Sequence, residues 1–341
     1  MWRPSIAAVL SIAYAVVPAT AGARSSAVID DPAYAHAQRL VDIDQGRRLN
    51  LHCIGEGTPS VVFDAGLANW SQIWGLVQPV VARSTRACAY DRAGLGFSDA
   101  ATRPGTSANI ADDLHRLLHA AGIEPPYVLV GHSYGGMNVR LYADLYRNEV
   151  AGLVLDDPSH EEHRLRVIAA NPGAGLPATF AAERAEADTS ALECLAAARV
   201  GFVAGTAIDA QCISSGRNTR YSPAINAVYQ RLQREPSFLQ ARLWEDQAYD
   251  LDSPAQLIAA RRSYGDLPLI VLTRALSQSP GGLPDDAQGD LVMALHDDLA
   301  GLSTRGVHRV VADSTHDIHL DQPQAVIDAV LDVLAQSRGS P

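Results

Sequence analysis

The pentapeptide Gly131-His132-Ser133-Tyr134-Gly135 follows the apolar run Tyr127-Val128-Leu129-Val130 and precedes Met137-Asn138-Val139-Arg140-Leu141-Tyr142-Ala143. A short β-rich run, a Gly-x-Ser-x-Gly turn and a helix-compatible stretch form a strand–turn–helix unit. Glycine two residues either side of the serine lets the chain reverse sharply and hold the serine in a strained conformation at a sheet edge. A serine hydroxyl is a weak nucleophile at neutral pH. It reacts when it is exposed, a base takes its proton and donors stabilise the oxyanion. The turn supplies the exposure, so the rest of the chain should supply a base, an acid and donors.

Strand and helix signals alternate around it. Residues 39–44 and 48–54 read as two strands joined by a turn at Gln45-Gly46, and 61–63 and 87–90 as further strands. Residues 70–82 read as a helix weakened by Pro79, and 108–121 as an amphipathic helix with Ser107 as N-cap and Gly122 as its stop. Strands follow at 127–130 and 150–155. Residues 160–263 then turn rich in alanine, arginine and glutamate at helical spacing. Alternation resumes with a strand at 267–272, a helix at 287–302, a strand at 307–311 and a last helix from Pro323. This pattern predicts an α/β fold: a doubly wound, mostly parallel eight-stranded sheet with helices on both faces. The core spans 24–159 and 264–341, and 160–263 form a helical lid inserted between them.

The N-terminus reads as a secretory signal over residues 1–23, with Arg3, an apolar stretch at 6–17 and Ala21-Gly22-Ala23 before a mature start near Arg24. The apolar stretch is short for a membrane span, an uncleaved anchor being the alternative, and no later segment has the length. A secreted or periplasmic protein with no stable membrane span after cleavage is expected. An oxidising compartment makes the four cysteines readable as disulfides. Cys53 and Cys88 lie on strands expected to be neighbours, and Cys194 and Cys212 lie together in the insert, so the pairs are Cys53–Cys88 and Cys194–Cys212. Buried free thiols are the alternative.

The formal net charge is −11, which argues against a nucleic-acid partner. All 27 basic residues are arginine. Without lysine there is no Schiff-base or pyridoxal-phosphate lysine, Walker A lysine or Ser-Lys dyad. Gly94-Leu95-Gly96 lacks the third glycine and helix of a dinucleotide loop. His160-Glu161-Glu162-His163 spaces its histidines by three rather than the four of a zinc-protease helix, and reads as a solvated helix start. No metal or cofactor is called for.

His316, in Ser314-Thr315-His316-Asp317-Ile318-His319 after the last strand, is the candidate base for Ser133. Loops at strand C-terminal ends share one edge of such a sheet, so the two can meet. His319 competes, and His316 is preferred as nearer the strand end. The acid is less conventional. Strand 267–272 is followed by Thr273-Arg274-Ala275 with no carboxylate before Asp285-Asp286. The preceding strand ends in Asp156-Asp157. Adjacent strand residues point in different directions, so only one can serve. Asp157 is preferred, with Asp285 or Asp286 as alternatives and an aspartate capping the insert as the non-catalytic reading.

Taken together, the chain resembles α/β-hydrolases of the esterase, lipase and proline-iminopeptidase type. The resemblance rests on Val61-Val62-Phe63-Asp64-Ala65-Gly66, on Tyr90-Asp91-Arg92-Ala93-Gly94-Leu95-Gly96-Phe97-Ser98, on the turn around Ser133 and on His316, in that order. It covers about residues 39–158 and 265–335. It implies a Ser-acid-His order and an oxyanion hole made by the backbone N–H groups of Tyr134 and Leu67, with Asp64-Ala65 where many members carry His-Gly. It implies a serine hydrolase of small-molecule or polymeric carboxylic esters that works through an acyl-enzyme without a cofactor, and the N-terminal segment adds that it is secreted. Trp70, Trp74, Tyr134 and Met137 are candidate pocket residues, with core packing as the other reading. An iminopeptidase would need acidic lid residues such as Glu183, Glu186 or Glu193 to hold a substrate amine. A non-catalytic binding protein on the same fold is the third reading. Haloalkane and epoxide hydrolysis by this fold use an aspartate where this chain has Ser133.

Overall fold

Eight strands form one sheet in the order β1-β2-β4-β3-β5-β6-β7-β8 in the computed structural model, which describes residues 24–213, 218–275 and 285–339. The expected signal segment lies outside the described residues. β1 (Arg39–Asp44) and β2 (Arg47–Ile54) form the antiparallel hairpin read from Gln45-Gly46. β2 pairs antiparallel with β4 (Ala87–Tyr90), and from β4 onward every pairing is parallel. The remaining strands are β3 (Ser60–Asp64), β5 (Tyr127–His132), β6 (Val150–Asp156), β7 (Leu269–Arg274) and β8 (Gly306–Val311). All of β5 is buried, as a parallel strand covered on both faces must be.

The two-residue period of β5 sorts its side chains between two cores. Leu129 joins Leu114, Leu117, Leu118 and Val139 on one face, where α2 (Ser107–Ala121) and α3 (Tyr134–Leu145) pack. Val128 and Val130 join Trp74, Val326, Val330 and Val333 on the other, under α12 (Pro323–Arg338). Each such side chain contributes about 1.5–3 kcal/mol by leaving water.

Two local readings change. Residues 70–82 are not one helix but a 3-10 turn, Ser71–Trp74, and a short α1, Gln78–Val81, with Pro79 in its first turn. Proline lacks the N–H that would continue the earlier turn and is tolerated only at a helix start. The N-cap of α2 is Thr106, not Ser107. Thr106 is extended and its hydroxyl accepts from the Asn109 amide, whereas the buried Ser107 hydroxyl donates to Asn138 Oδ1. Gly122 ends α2 in the left-handed region, as expected.

Between β6 and β7 lie α4 (His163–Ala170), α5 (Leu176–Val200), α6 (Ala207–Cys212), α7 (Pro223–Leu232), α8 (Pro236–Asp250) and α9 (Asp252–Ala260). α10 (Asp285–Ala300) and α11 (Ile318–Asp321) complete the described helices. The insert has its own apolar cluster, in which Trp70 stacks on Tyr229 at 5.0 Å and meets Phe238 and Leu239. The disulfide Cys194–Cys212 ties α5 to α6 inside that cluster, and Cys53–Cys88 joins directly opposed residues of β2 and β4. No helix among the described residues is long and apolar enough to cross a membrane.

Candidate active site

The turn from β5 into α3 puts Ser133 at φ 51° and ψ −116°, a left-handed conformation costly for a non-glycine residue. Two glycines make the turn possible. A Cβ on Gly131 would stand 2.4 Å from the Gly135 carbonyl oxygen, and one on Gly135 would stand 2.4 Å from the Asp64 carbonyl oxygen. The Ser133 amide donates to the Asp156 carbonyl of β6 at 3.1 Å, pinning the turn to the sheet edge.

The neighbouring strand end resolves the Asp156-Asp157 pair. The two carboxylates point apart, and each takes a different histidine. Asp157 Oδ2 lies 2.5 Å from His316 Nδ1, and Asp156 Oδ2 lies 2.8 Å from His319 Nδ1. The two histidines that competed in sequence therefore have separate acids. His319 is buried beside Trp74 and His132, with no exposed ring edge. His316 is 38% exposed at its side chain and borders the same cleft as Ser133 and Asp157. The side chains of Asp285 and Asp286, the alternative acids, lie outside the described residues.

Asp157 is itself at φ 42°, with its amide bonded to the Leu272 carbonyl at 2.9 Å. Its carboxylate accepts from two further donors on the end of β7: the Arg274 amide to Oδ1 at 3.1 Å, and the Arg274 guanidinium to Oδ2. Burial raises the Asp157 pKa, but the hydrogen bond and charge of His316 and the charge of Arg274 outweigh it and hold it below the ordinary carboxylate value. Arg274 occupies the strand end where the fold more commonly carries a carboxylate. A cation there serves the carboxylate from the next strand. Nothing local in the sequence marks Arg274, because its partner carboxylate comes from another strand end.

His132 sits between the two pairs, its ring 4.6 Å from His316 and 4.5 Å from His319. Burial, together with His319 and His316 nearby, holds its pKa well below the usual histidine value. The neutral ring donates from Nε2 to the His316 carbonyl at 3.0 Å and so fixes the loop that carries His316.

The third strand end lies across from the serine. A Cβ on Gly66 would meet the His132 ring at 2.7 Å and Ser133 Cβ at 3.3 Å, which measures how closely this loop approaches the Ser133 turn. The amide of Leu67 has no hydrogen-bond acceptor among the described residues. Tyr134 is the first residue of α3, where amides have no partner within the helix. The loop is held from behind by Arg92, buried in the Tyr90-Asp91-Arg92 segment. Its guanidinium donates to Asp64 Oδ1 and the Ala65 carbonyl at 2.7 Å each, to the Gly66 carbonyl at 2.8 Å and to both oxygens of Glu245 on α8. Tyr90 donates to the other oxygen of Asp64 at 2.9 Å, so Asp64 in place of the common histidine has a structural use. Glu245 also accepts from the Ala68 amide at 2.8 Å. No local pattern marks Glu245, because it acts across 153 residues of sequence. Glu245→Gln should cost about 1.5–3 kcal/mol, because it weakens the charge-assisted bonds to Arg92 and the Ala68 amide while Arg92 keeps Asp64 as its counter-charge. Urea unfolding would read this, and an unchanged midpoint would show that the network does not hold the loop.

The cleft has a volume of about 870 Å³ including its open mouth. Besides the residues above, it is lined by Pro158, Ser159, His163, Tyr249, Val292 and Leu295. Ser159 Oγ lies 3.5 Å from Ser133 Oγ and 3.0 Å from the Tyr249 hydroxyl, and its amide donates to the Ser133 carbonyl. Among the described residues Ser159 is the hydrogen-bond neighbour of the Ser133 hydroxyl, and His316 is not within bonding distance of it. Catalytic hydrogen bonds of unliganded enzymes are commonly long and tighten with substrate.

The candidate pocket aromatics have other places. Trp74 packs on Phe63 in the core, Trp70 in the insert cluster, and Tyr134 and Met137 with Ile110, Leu141 and Leu257 under α9. Glu183, Glu186 and Glu193 are exposed on α5, and none borders the cleft. The His160–His163 segment is not a solvated helix start. His160 and Glu161 are buried, with Glu161 paired to Arg140 at 2.7 Å and to Arg261, and His160 bonded to Asp298 at 2.9 Å. Those arginines lie on α3 and after α9, and local sequence could not place them.

Comparison with known proteins agrees with this fold. The chain is 33% identical over 108 residues to the Bacillus subtilis protein YqjL (32% of this chain, 43% of that protein). It is 33% identical over 114 residues to an AB hydrolase superfamily protein of Gibberella zeae (32% and 35%). The chain thus spans under half the length of these curated relatives. A thermophilic esterase from Thermogutta terrifontis superposes with a TM-score of 0.58 at 22% identity, covering 88% of this chain and 99% of that one. The epoxide hydrolase CorEH superposes with a TM-score of 0.55 at 18% identity, covering 88% and 98%. At such identities these two show a common fold. A family model described as the alpha/beta hydrolase fold matches residues 58–261, running from β3 through the helical insert. With an eight-stranded sheet of this order and a serine turn after β5, the chain belongs to the alpha/beta hydrolase family.

Proposed function

We propose that this chain is a serine hydrolase of carboxylic esters, with Ser133 as nucleophile, His316 as base and Asp157 as the acid that orients it. The supporting observation is the His316–Asp157 contact on the cleft that also holds Ser133. With Nδ1–H directed at the carboxylate, the Nε2 lone pair of His316 is free to take the serine proton. Attack by Oγ on the ester carbonyl gives a tetrahedral oxyanion beside the amides of Leu67 and Tyr134. Collapse breaks the C–O bond, and His316 returns the proton to the departing alcohol. Water, deprotonated by His316, then attacks the acyl-enzyme, releases the carboxylic acid and restores Ser133. Asp157 stabilises the imidazolium and stays ionised throughout. No step needs a metal or cofactor.

The substrate is a small-molecule or polymeric ester, and the place of action is secreted or periplasmic, in keeping with two disulfides. Among the described residues that line the cleft, the acidic side chain is Asp157, already paired with Arg274 and His316, which does not favour the iminopeptidase reading. A chain-length series of p-nitrophenyl esters and one polymeric ester should be hydrolysed. Aminoacyl anilides should turn over at least about a hundredfold more slowly in kcat/KM. Faster cleavage of the anilides would overturn the ester assignment.

A further inference from the structure

The helical spacing of four that residues 160–163 lack occurs at His115 and His119 on α2. Two histidines so spaced lie on one helix face, the arrangement zinc helices use. Here both rings turn toward a third ligand type. His115 Nε2 and His119 Nε2 each lie 3.1 Å from the same oxygen, Oε1 of Glu149, in the 3-10 turn before β6. The rings stand 4.4 Å apart, and the donor atoms of the three residues all lie within 4.8 Å of one another.

We propose that His115, His119 and Glu149 form a binding site for a divalent transition metal of the zinc class, with water as fourth ligand. Tetrahedral zinc bonded at about 2.0–2.1 Å spaces its ligand atoms by roughly 3.3 Å, close to the two edges already present. Imidazole and carboxylate together suit zinc, and also copper and nickel. The carboxylate is oriented from behind, since the Tyr142 hydroxyl donates to Glu149 Oε2 at 2.5 Å and leaves Oε1 for the ion. His115 is braced by a stacked Tyr146 ring at 4.0 Å. The ion can enter, because the side chains of His115 and His119 are 29% and 47% exposed.

The group of buried His132 and His319 with exposed Asp317 is the rival cluster. There His132 Nε2 is committed to the His316 carbonyl and His319 Nδ1 to Asp156. At Glu149 both Nε2 atoms already face the atom that would share the metal. Glu149 precedes β6, whereas Ser133 follows the C-terminal end of the parallel β5, so the site lies roughly 20 Å from the nucleophile at about 3.3 Å per strand residue. The ion would clip α2 to the start of β6 and take no part in ester cleavage.

Calorimetric titration of the tag-free full chain with zinc chloride near neutral pH tests this. One equivalent should bind, and both His119→Ala and Glu149→Gln should weaken binding at least about tenfold. Zinc should raise the melting temperature of the wild type and not of His119→Ala, while ester turnover of His119→Ala stays at the wild-type value. No saturable binding, or a His119→Ala chain that binds zinc as the wild type does, would overturn the site.

Discussion

Ser133→Ala should lower kcat for an activated ester by at least about a thousandfold while leaving the fold intact. The hydroxyl has one neighbour among the described residues, Ser159 at 3.5 Å, so its removal breaks no strong contact. Alanine meets the same φ 51° as serine, so the backbone strain is unchanged. The residual rate would come from the oxyanion donors and from binding alone. Stopped-flow release of p-nitrophenol, with circular dichroism to verify folding, reads the effect. Near-wild-type turnover in a folded Ser133→Ala chain would refute the mechanism.

Asp157→Asn should lower kcat by about 10³–10⁴-fold, because the amide can donate to His316 Nδ1 and stabilise the tautomer whose Nε2 bears the proton. The change also leaves Arg274 beside His316 without its carboxylate. The same variant has a signature in acid. The folded pKa of Asp157 lies below its unfolded value, so the unfolded state binds the proton first as pH falls. The stabilisation is present above the unfolded value of about 3.9 and is lost as pH falls through the lower folded value. Urea midpoints of the wild type should therefore drop more steeply below about pH 4 than those of Asp157→Asn. Equal acid slopes would show that its partners do not lower the Asp157 pKa, and a kcat within tenfold of wild type would remove it from the site.

The parts of this molecule legible in sequence are those set by short-range chemistry. Short apolar runs and turn residues mark the strands, and Gly131 and Gly135 mark the tight turn, because backbone sterics act within a few residues. The fork at Asp156 and Asp157 was also readable, since strand alternation separates adjacent side chains. Its second arm was not: nothing local says that His319 belongs to Asp156. Long-range polar contacts were the least visible. Glu245 supports the loop of Leu67 through Arg92, and Glu161 is buried between Arg140 and Arg261. In sequence, such residues look like ordinary charges on a helix face. Arg274 shows a further limit, since a cation can mark a buried carboxylate contributed by a different strand.

The central claim is that Ser133 is the nucleophile that becomes acylated. Labelling the folded chain with a fluorophosphonate, followed by peptide mass spectrometry, tests it most directly. One adduct on the peptide containing Ser133, absent after Ser133→Ala, is the predicted result. No adduct on folded protein, or an adduct on Ser159 or Tyr249 that persists in Ser133→Ala, would contradict it.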